Sequence, residues 1–373
     1  MSGPVIVAAR RSPIGHAGGA LRSVPVADLA GPVLSAVADE AGPVDQVVLG
    51  NCMGPGGNVA RVAALAAALG VDLPALTVDQ QCASGLSAVT VAAGLLAARS
   101  GTVLAGGVES ASTAPWRYWP PAPGQQPQRY TRAPFAPPGF ADPDMGEAAD
   151  RLAEDWGIDR QAQDAYAARS HARASATVAA GGCADELVPV AGVDADQRPR
   201  AGLTAPVLAR LAPVFRPGGT VTVGNSCGIN DGAAVVALTD AASHARSGRP
   251  GLRIRSWAQA GVAPEEAGLG LVPAVRAALG AAGVGLDQVA VIEFNEAFAG
   301  QVLACCAALG LDPRRVCPQG GALAFGHPWG ASGAVLLVRL FSQLVRVRRP
   351  GALGLAAIAS GGGQGVAMVV ESC

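Results

Sequence analysis

The chain has 373 residues, 50% of them hydrophobic and only 15% charged, which is enough for two domains or one large duplicated core. A net charge of −1 gives no electrostatic reason to expect nucleic acid or an anionic membrane as a partner. The eight cysteines (52, 82, 183, 227, 305, 306, 317 and 373) show no C-x-x-C spacing, so neither a metal site nor a disulfide framework is indicated and a reducing cytoplasm fits. The opening residues lack a charged leader followed by a long apolar core, and apolar runs are broken by Gly, Pro or charge. Neither a signal peptide nor membrane association is expected.

Val5–Ala9 reads as a first strand, followed by a Gly/Pro loop and a helix from about Ala27 to Ala41. Residues 45–51 read as a second strand, Ala60–Leu69 as a helix and Leu73–Val78 as a short buried strand. A long Ala/Val/Leu helix from Ser87 to Ala98 and a strand at Thr102–Ala105 come next. Strands alternating with helices predict an α/β fold with a mostly parallel sheet. Composition changes at Thr113. Residues 113–219 form an excursion: a Pro/Gln/Arg-rich flap, a helical stretch from Glu147 to about Ala180, and a turn-rich tail. The core pattern resumes with Thr220–Asn225 and Asp231–Thr239, and 243–251 reads as a linker. A second series follows: strand Leu252–Trp257, helix Val272–Ala282, strand Val289–Glu293, helix Glu296–Ala308, strand Arg315–Pro318, helix Ser332–Val345 and strand Ala352–Ile358.

The second series echoes the first. Asp45–Asn51 resembles Asp287–Asn295, Ala83-Ser84-Gly85 resembles Ala331-Ser332-Gly333, and Val103–Gly107 resembles Leu355–Gly362. Three echoes in order predict duplicated halves: 1–112 with 220–245, and 246–373, with 113–219 as an inserted loop domain. A site belongs between such halves, where helix starts and glycine turns converge.

Four stretches could carry chemistry there. Cys82 stands at a strand-to-helix turn, where helix-end N–H groups and the dipole favour a thiolate. Asn295 follows a strand and stands where it could cap the next helix. His327 lies in a glycine-dense turn before another helix, and it is one of only four histidines. Ala359–Gly365 is a glycine turn whose N–H groups could form half of an oxyanion hole. A buried, inert cysteine and a structural histidine are the bland readings of the same residues.

At this point the sequence resembles the thiolase family, the acetyl-CoA acetyltransferase and 3-ketoacyl-CoA thiolase group. The likeness runs from Ala9–Gly15 through Gln81–Gly85, Gly106–Ser110, Ser170-His171, Gly219–Ala234, Asn295–Ala299 and Gly320–Gly333 to Gly361–Ala367. It implies two fused α/β halves in a layered αβαβα core with an inserted loop domain. Cys82 resembles the nucleophile that takes the acyl group, and His327 the histidine that activates it. Asn295 resembles the residue that, through a water, helps to polarise a thioester oxygen. The N–H groups of Cys82 and Gly361 resemble the oxyanion hole. The resemblance also implies a coenzyme A (CoA) thioester as substrate with no tightly bound cofactor, and a homodimer or homotetramer.

The chain departs from the family pattern at the second reactive cysteine, whose place is held by Ala359. Cys227 stands where the family usually has a serine near the pantetheine arm, and Asp144 where some members carry a histidine. Phe294, Phe325 and Trp329 are bulky beside the site turns, Ala267 stands in place of a methionine, and Gln319 in place of an asparagine. Arg200 matches a loop arginine that would contact a CoA phosphate. The expected function is acyl transfer through Cys82, from a CoA or carrier-protein thioester to an acceptor in specialised metabolism. An ordinary thiolase with a substitute base is one alternative, and a non-catalytic CoA-ester-binding scaffold is another.

Overall fold

The computed structural model describes residues 3–373. Nine strands lie in line in one sheet. Their order is Val289–Phe294, Leu353–Ser360, Gln364–Ser372, Leu252–Gly261, Val5–Arg11, Asn230–Thr239, Thr102–Ser110, Gln46–Gly50 and Ala75–Val78. The short strand Gly15–His16 pairs beside Asn230–Thr239. The middle joint is a small antiparallel contact, Val5 with Arg253 and Ile6 with Leu252. Outward from this joint each side repeats one sequence of pairings, two antiparallel and then two parallel. The last parallel partner on the C-terminal side is only a bridge, Ile292 with Val316. The echoes in the sequence thus correspond to two equivalent half-sheets.

The cores give the layer order. One cluster holds helix Ser84–Ala98 and helix Trp329–Phe341 together with Ile6, Val48, Ala105 and Val236 from one half-sheet and Val291, Ala356, Ile358 and Met368 from the other. The outer face of the first half-sheet packs on helices Val26–Ala41 and Val59–Ala66, and that of the second on Leu271–Ala282 and Ala299–Leu309. The result is αβαβα. Helix Ser84–Ala98 is apolar around its whole circumference because both of its sides are covered. The window Gln81–Ala98 is long and apolar enough by composition to cross a membrane, but here it forms the middle of the core.

The two middle helices touch backbone to backbone. A Cβ on Gly85 would lie 2.7 Å from the Gly330 carbonyl oxygen, and one on Gly333 would lie 2.6 Å from Leu86 Cβ. Gly107 also faces the Gly330 carbonyl with no room for a side chain. Glycine is required at these contacts because any larger residue would push the helix starts apart.

The 113–219 segment is anchored by a buried ion cluster. Glu186 accepts from Arg11 on the first strand (2.9 Å) and from Arg339 on the Trp329–Phe341 helix (2.7 Å), and Asp196 forms a two-point pair with Arg11. Burial raises the Glu186 carboxyl, but the two guanidiniums and Ser342 outweigh it and hold it at about 2.

Several sequence expectations change. The sheet is mostly antiparallel, not mostly parallel: its inner strands pair antiparallel, and Leu353–Ser360 and Gln364–Ser372 are joined by a turn too short for a parallel crossover. The helical stretch from Glu147 to Ala180 is two helices, Met145–Asp155 and Arg160–Ala179, parted where Gly157 takes φ 63°. Residues 243–251 are not a plain linker. Helix Ala241–Ser247 is capped by Asp240 and closed by left-handed Gly248, both ordinary helix-end signals. Residues 315–318 form no strand, because the Pro313–Arg315 turn and Cys317 at φ 46° leave a single bridge. Thr220–Asn225 is a turn, because the Asn225 side chain accepts from Thr222 N.

Two outcomes test this packing. Gly333→Ala should cost about 1–3 kcal/mol in chemical denaturation by overpacking the helix contact. Glu186→Gln should cost about 3–5 kcal/mol at pH 7 by leaving Arg11 and Arg339 short of their anion. The folded Glu186 value lies below its unfolded one, so its stabilisation is complete above about pH 5 and is lost as pH falls toward about 2. The difference between wild type and Glu186→Gln should therefore shrink between pH 6 and pH 3 in urea titrations.

Candidate active site

Cys82 stands between strand Ala75–Val78 and helix Ser84–Ala98, just ahead of Ala83, the residue that precedes the helix. The turn is tight. Gln81 takes φ 51°, an uncommon conformation for a residue with a side chain. Ser84 Oγ holds the turn by accepting from Gln80 N (2.8 Å) and donating to Gln81 O (2.6 Å). The sulfur faces a cavity of about 380 Å³, whose lining includes Asp144, Cys227, Trp329 and Gly361. On another side it faces a void of about 30 Å³ lined by Ala359, Met145, Leu152 and Gln301. A larger cleft of about 780 Å³, around His244, Arg249 and Cys373, contains none of the candidate residues.

The backbone N–H groups of Cys82 and Gly361 lie beside the Cys82 thiol and favour its ionised form. Gly361 leaves room there for the Phe135 ring, which would lie 2.6 Å from an added Cβ. Burial pushes the Cys82 thiol up to about 12. Cys227 and Glu109 add to the rise, while the two N–H groups pull the other way. This corrects the expectation that the helix start would ease ionisation: desolvation outweighs the helix end, and the resting group is a neutral thiol.

His327 is buried, and burial alone lowers it to about 3, so it too is neutral. Its Nδ1 lies 2.6 Å from Ser332 Oγ and its Nε2 lies 3.4 Å from Asn295 Nδ2. The Asn295 Nδ2 group can only donate, which assigns the ring proton to Nδ1 and makes the unprotonated Nε2 the acceptor of this bond. Asn295 is therefore not a helix cap. Helix Ala299–Leu309 is preceded by Phe298, and the Asn295 side chain turns to His327 instead. Among the described residues no hydrogen bond joins the Cys82 thiol to His327. The helix contact at Gly85 and Gly330 brings the two turns toward each other, while His327 itself lines neither of the voids that Cys82 lines.

The remaining sequence candidates divide. Asp144 lines the cavity while capping helix Met145–Asp155 through Gly146 N (2.9 Å). Cys227 and Trp329 line the cavity as well. Arg200 is exposed and does not line it; Arg198, two residues earlier, packs against Gly228 instead. Phe325 lies outside the cavity, its ring between the Arg11 and Arg339 guanidiniums at 5.7 and 5.5 Å. Cys317 is buried, with its thiol donating to Phe294 O, and Ser360 Oγ donates to Gln80 O.

Sequence reasoning missed Glu109 and Cys52. Glu109 is fully buried and accepts from Cys52 N, Met53 N, Asn51 Nδ2 and Gly330 N, tying the start of the His327-side helix to the other half. A lone charge after Gly106-Gly107-Val108 in an apolar strand was the available signal. Cys52 lines the cavity and donates its thiol to Gln81 O at 2.9 Å.

Comparison with known proteins fits this arrangement. The thiolase N-terminal domain matches residues 4–242 and the thiolase C-terminal domain residues 249–372. An acetyl-CoA acetyltransferase of Pseudomonas aeruginosa is 42% identical over 398 residues, spanning 99% of each chain. The chain belongs to the thiolase family. A β-ketoadipyl-CoA thiolase of the same organism is 39% identical over 97% of each chain. The crystal structure of the Bacillus anthracis acetyl-CoA acetyltransferase superposes with a TM-score of 0.92 at 36% identity, covering 100% of this thiolase and 99% of that chain. Like those relatives, this thiolase is an acyltransferase.

The neutral resting thiol is open to test. Alkylation of Cys82 by iodoacetamide, followed by peptide mass mapping, should keep rising through about pH 10 without levelling, because the thiolate fraction at pH 8 is about 10⁻⁴ for a group near 12. A plateau below about pH 8 would contradict the burial argument.

Proposed function

We propose that this thiolase takes an acyl group from a CoA thioester onto Cys82 and hands it to an acceptor whose proton is not removed at position 359. The carrying observation is that Cys82, at its tight turn ahead of a core helix, lines a substrate-sized cavity together with Gly361, while Ala359, beside it in the smaller void, offers only a methyl group. In the first half-reaction the Nε2 lone pair of His327 accepts the thiol proton as the sulfur bonds to the thioester carbonyl carbon. The carbonyl oxygen becomes an oxyanion, and the N–H groups of Cys82 and Gly361 donate to that oxygen. Collapse expels CoA thiolate, which takes the proton back from His327. Asn295, which donates to the resting His327 Nε2, gives that bond up as the proton arrives and donates toward the developing negative charge instead.

This order suits the resting state. A buried neutral thiol and a buried neutral imidazole need no charge until substrate has displaced water, and the proton then moves between them in a single step. An acyl group seated toward Ala359 would meet apolar walls at Met145 and Leu152. The changed residue 359 supports a role in specialised metabolism, where the donor could equally be a carrier-protein thioester. Exposed Leu76 on the sheet-edge strand, with exposed Val62, Leu65 and Val71 nearby in the chain, supports self-association into a dimer or tetramer.

The test is rapid-quench mixing with excess acetyl-CoA. A burst of one CoA released per subunit is expected. It should be absent from Cys82→Ala and slowed about 10²–10⁴-fold in His327→Asn, the range for loss of a general base. A full burst from Cys82→Ala would reject the reading.

A further inference from the structure

Cys52, Cys82 and Cys227 line the same cavity of about 380 Å³. Cys82 has its place in the reaction, and Cys52 commits its thiol to the Gln81 carbonyl. The Cys227 thiol makes no hydrogen bond to another residue. It is nevertheless held firmly between the two loops that carry Asn295 and His327. On one side Cys227 N donates to Ala297 O at 2.9 Å, Ser226 pairs with Phe298, and Ala299 N donates to Asn225 O at 2.9 Å. On the other side Ile229 pairs with His327, and Asn230 Oδ1 accepts from His327 N at 2.9 Å. Cys227 is therefore fixed relative to both groups, at a point where its sulfur faces the cavity.

Arg198 stands behind it. The guanidinium carbon would lie 2.9 Å from a Cβ on Gly228, the residue after Cys227. Among the described residues no carboxylate pairs with Arg198. Its one hydrogen bond runs from Nη2 to Leu323 O at 3.3 Å, and its buried Nε has no partner. A guanidinium in such surroundings favours a nearby anion. Arg200, two residues on, is another cation, whereas Cys227 is a group that can become an anion. Burial pushes the Cys227 thiol up to about 12 and Arg198 pulls it down, so its thiolate is strongly basic and has a counter-ion in place.

We infer that Cys227 is the base that removes the α-proton of an acceptor acyl-CoA, the step that Ala359 cannot perform, with Arg198 as the positioning cation for its thiolate. The inference rests on the reading of Cys82 as the acyl-accepting thiol. Cys227 first gives its thiol proton to water, with Arg198 as counter-ion; the thiolate then takes one α-hydrogen as a proton and becomes a thiol again, and the C–H electron pair becomes the enolate. The enolate carbon bonds to the carbonyl carbon of acyl-Cys82. The C–S bond breaks and its electron pair returns to the Cys82 sulfur. The proton on Cys227 then passes to the Cys82 thiolate and Cys227 regains one from water, so both sulfurs end as the thiols they began as and one C–C bond has formed.

The test is deuterium uptake from D₂O into the methyl group of acetyl-CoA, followed by mass spectrometry. The wild type should exchange well above buffer, and Cys227→Ala should fall at least about 100-fold. Should circular dichroism show that Cys227→Ala has not folded, Cys227→Ser decides, because it keeps the shape and loses the basic thiolate. Arg198→Gln should fall at least about tenfold, and Ala359→Cys placed in the Cys227→Ala background should restore exchange. Cys82→Ala separates the two readings: exchange that survives there while CoA release is lost belongs to Cys227. Exchange that vanishes in Cys82→Ala but persists in Cys227→Ala makes Cys82 the base and overturns the inference. A wild type no faster than buffer, or a Cys227→Ala that exchanges like wild type, overturns it as well.

Discussion

The structure depends on one close contact, the backbone meeting of the two middle helices at Gly85, Gly330 and Gly333. Each of these helices begins at a turn bearing a candidate residue, Cys82 on one and His327 on the other. Side chains at the contact would hold the helices farther apart and separate the two turns. Glu109 reinforces the approach from the strand side. Its carboxylate takes the Gly330 N–H at one helix start and the Cys52 and Met53 N–H groups beside the other half's turn. A site between duplicated halves needs such a device, because neither half alone carries both groups.

The same tight packing sets the electrostatics. A helix start would favour a thiolate in water-accessible surroundings. Here desolvation dominates, and Cys82, Cys227 and His327 are all held in their neutral forms. The arrangement stores no charge in the resting site; the proton moves only when a carbonyl arrives to accept the sulfur's electrons. The N–H groups of Cys82 and Gly361 beside the thiol and an unprotonated His327 Nε2 are the parts such a step needs. Ala359 leaves the next step, activation of an acceptor, to other groups around the cavity.

Much of this was legible in the sequence. Alternation of apolar runs and glycine turns pointed to the α/β class, and the paired Ala-Ser-Gly motifs marked the two helices that meet. Cys82, Asn295, His327 and Gly361 stood out as loop residues next to apolar elements. What escaped were relations in space. Nothing local distinguishes Asn295 as a histidine partner from Asn295 as a cap, since both follow a strand. The motif singled out Arg200, which is exposed at the surface, but gave no sign that Arg198, two residues earlier, packs against Gly228 beside Cys227. Phe325 lies next to the histidine turn in sequence but packs between two guanidiniums of the ion cluster. The effect of burial on the thiol could not be read from a helix-start pattern, because desolvation depends on what covers the turn.

The central claim is that Cys82, and no other thiol in the cavity, receives the acyl group. Peptide mass mapping after acid quench in the first turnover with acetyl-CoA tests it most directly. The acetyl adduct should be found on the peptide that contains Cys82 and on no other cysteine peptide. An adduct on Cys52 or Cys227 in place of Cys82, or no adduct at all while CoA is released, would contradict the account.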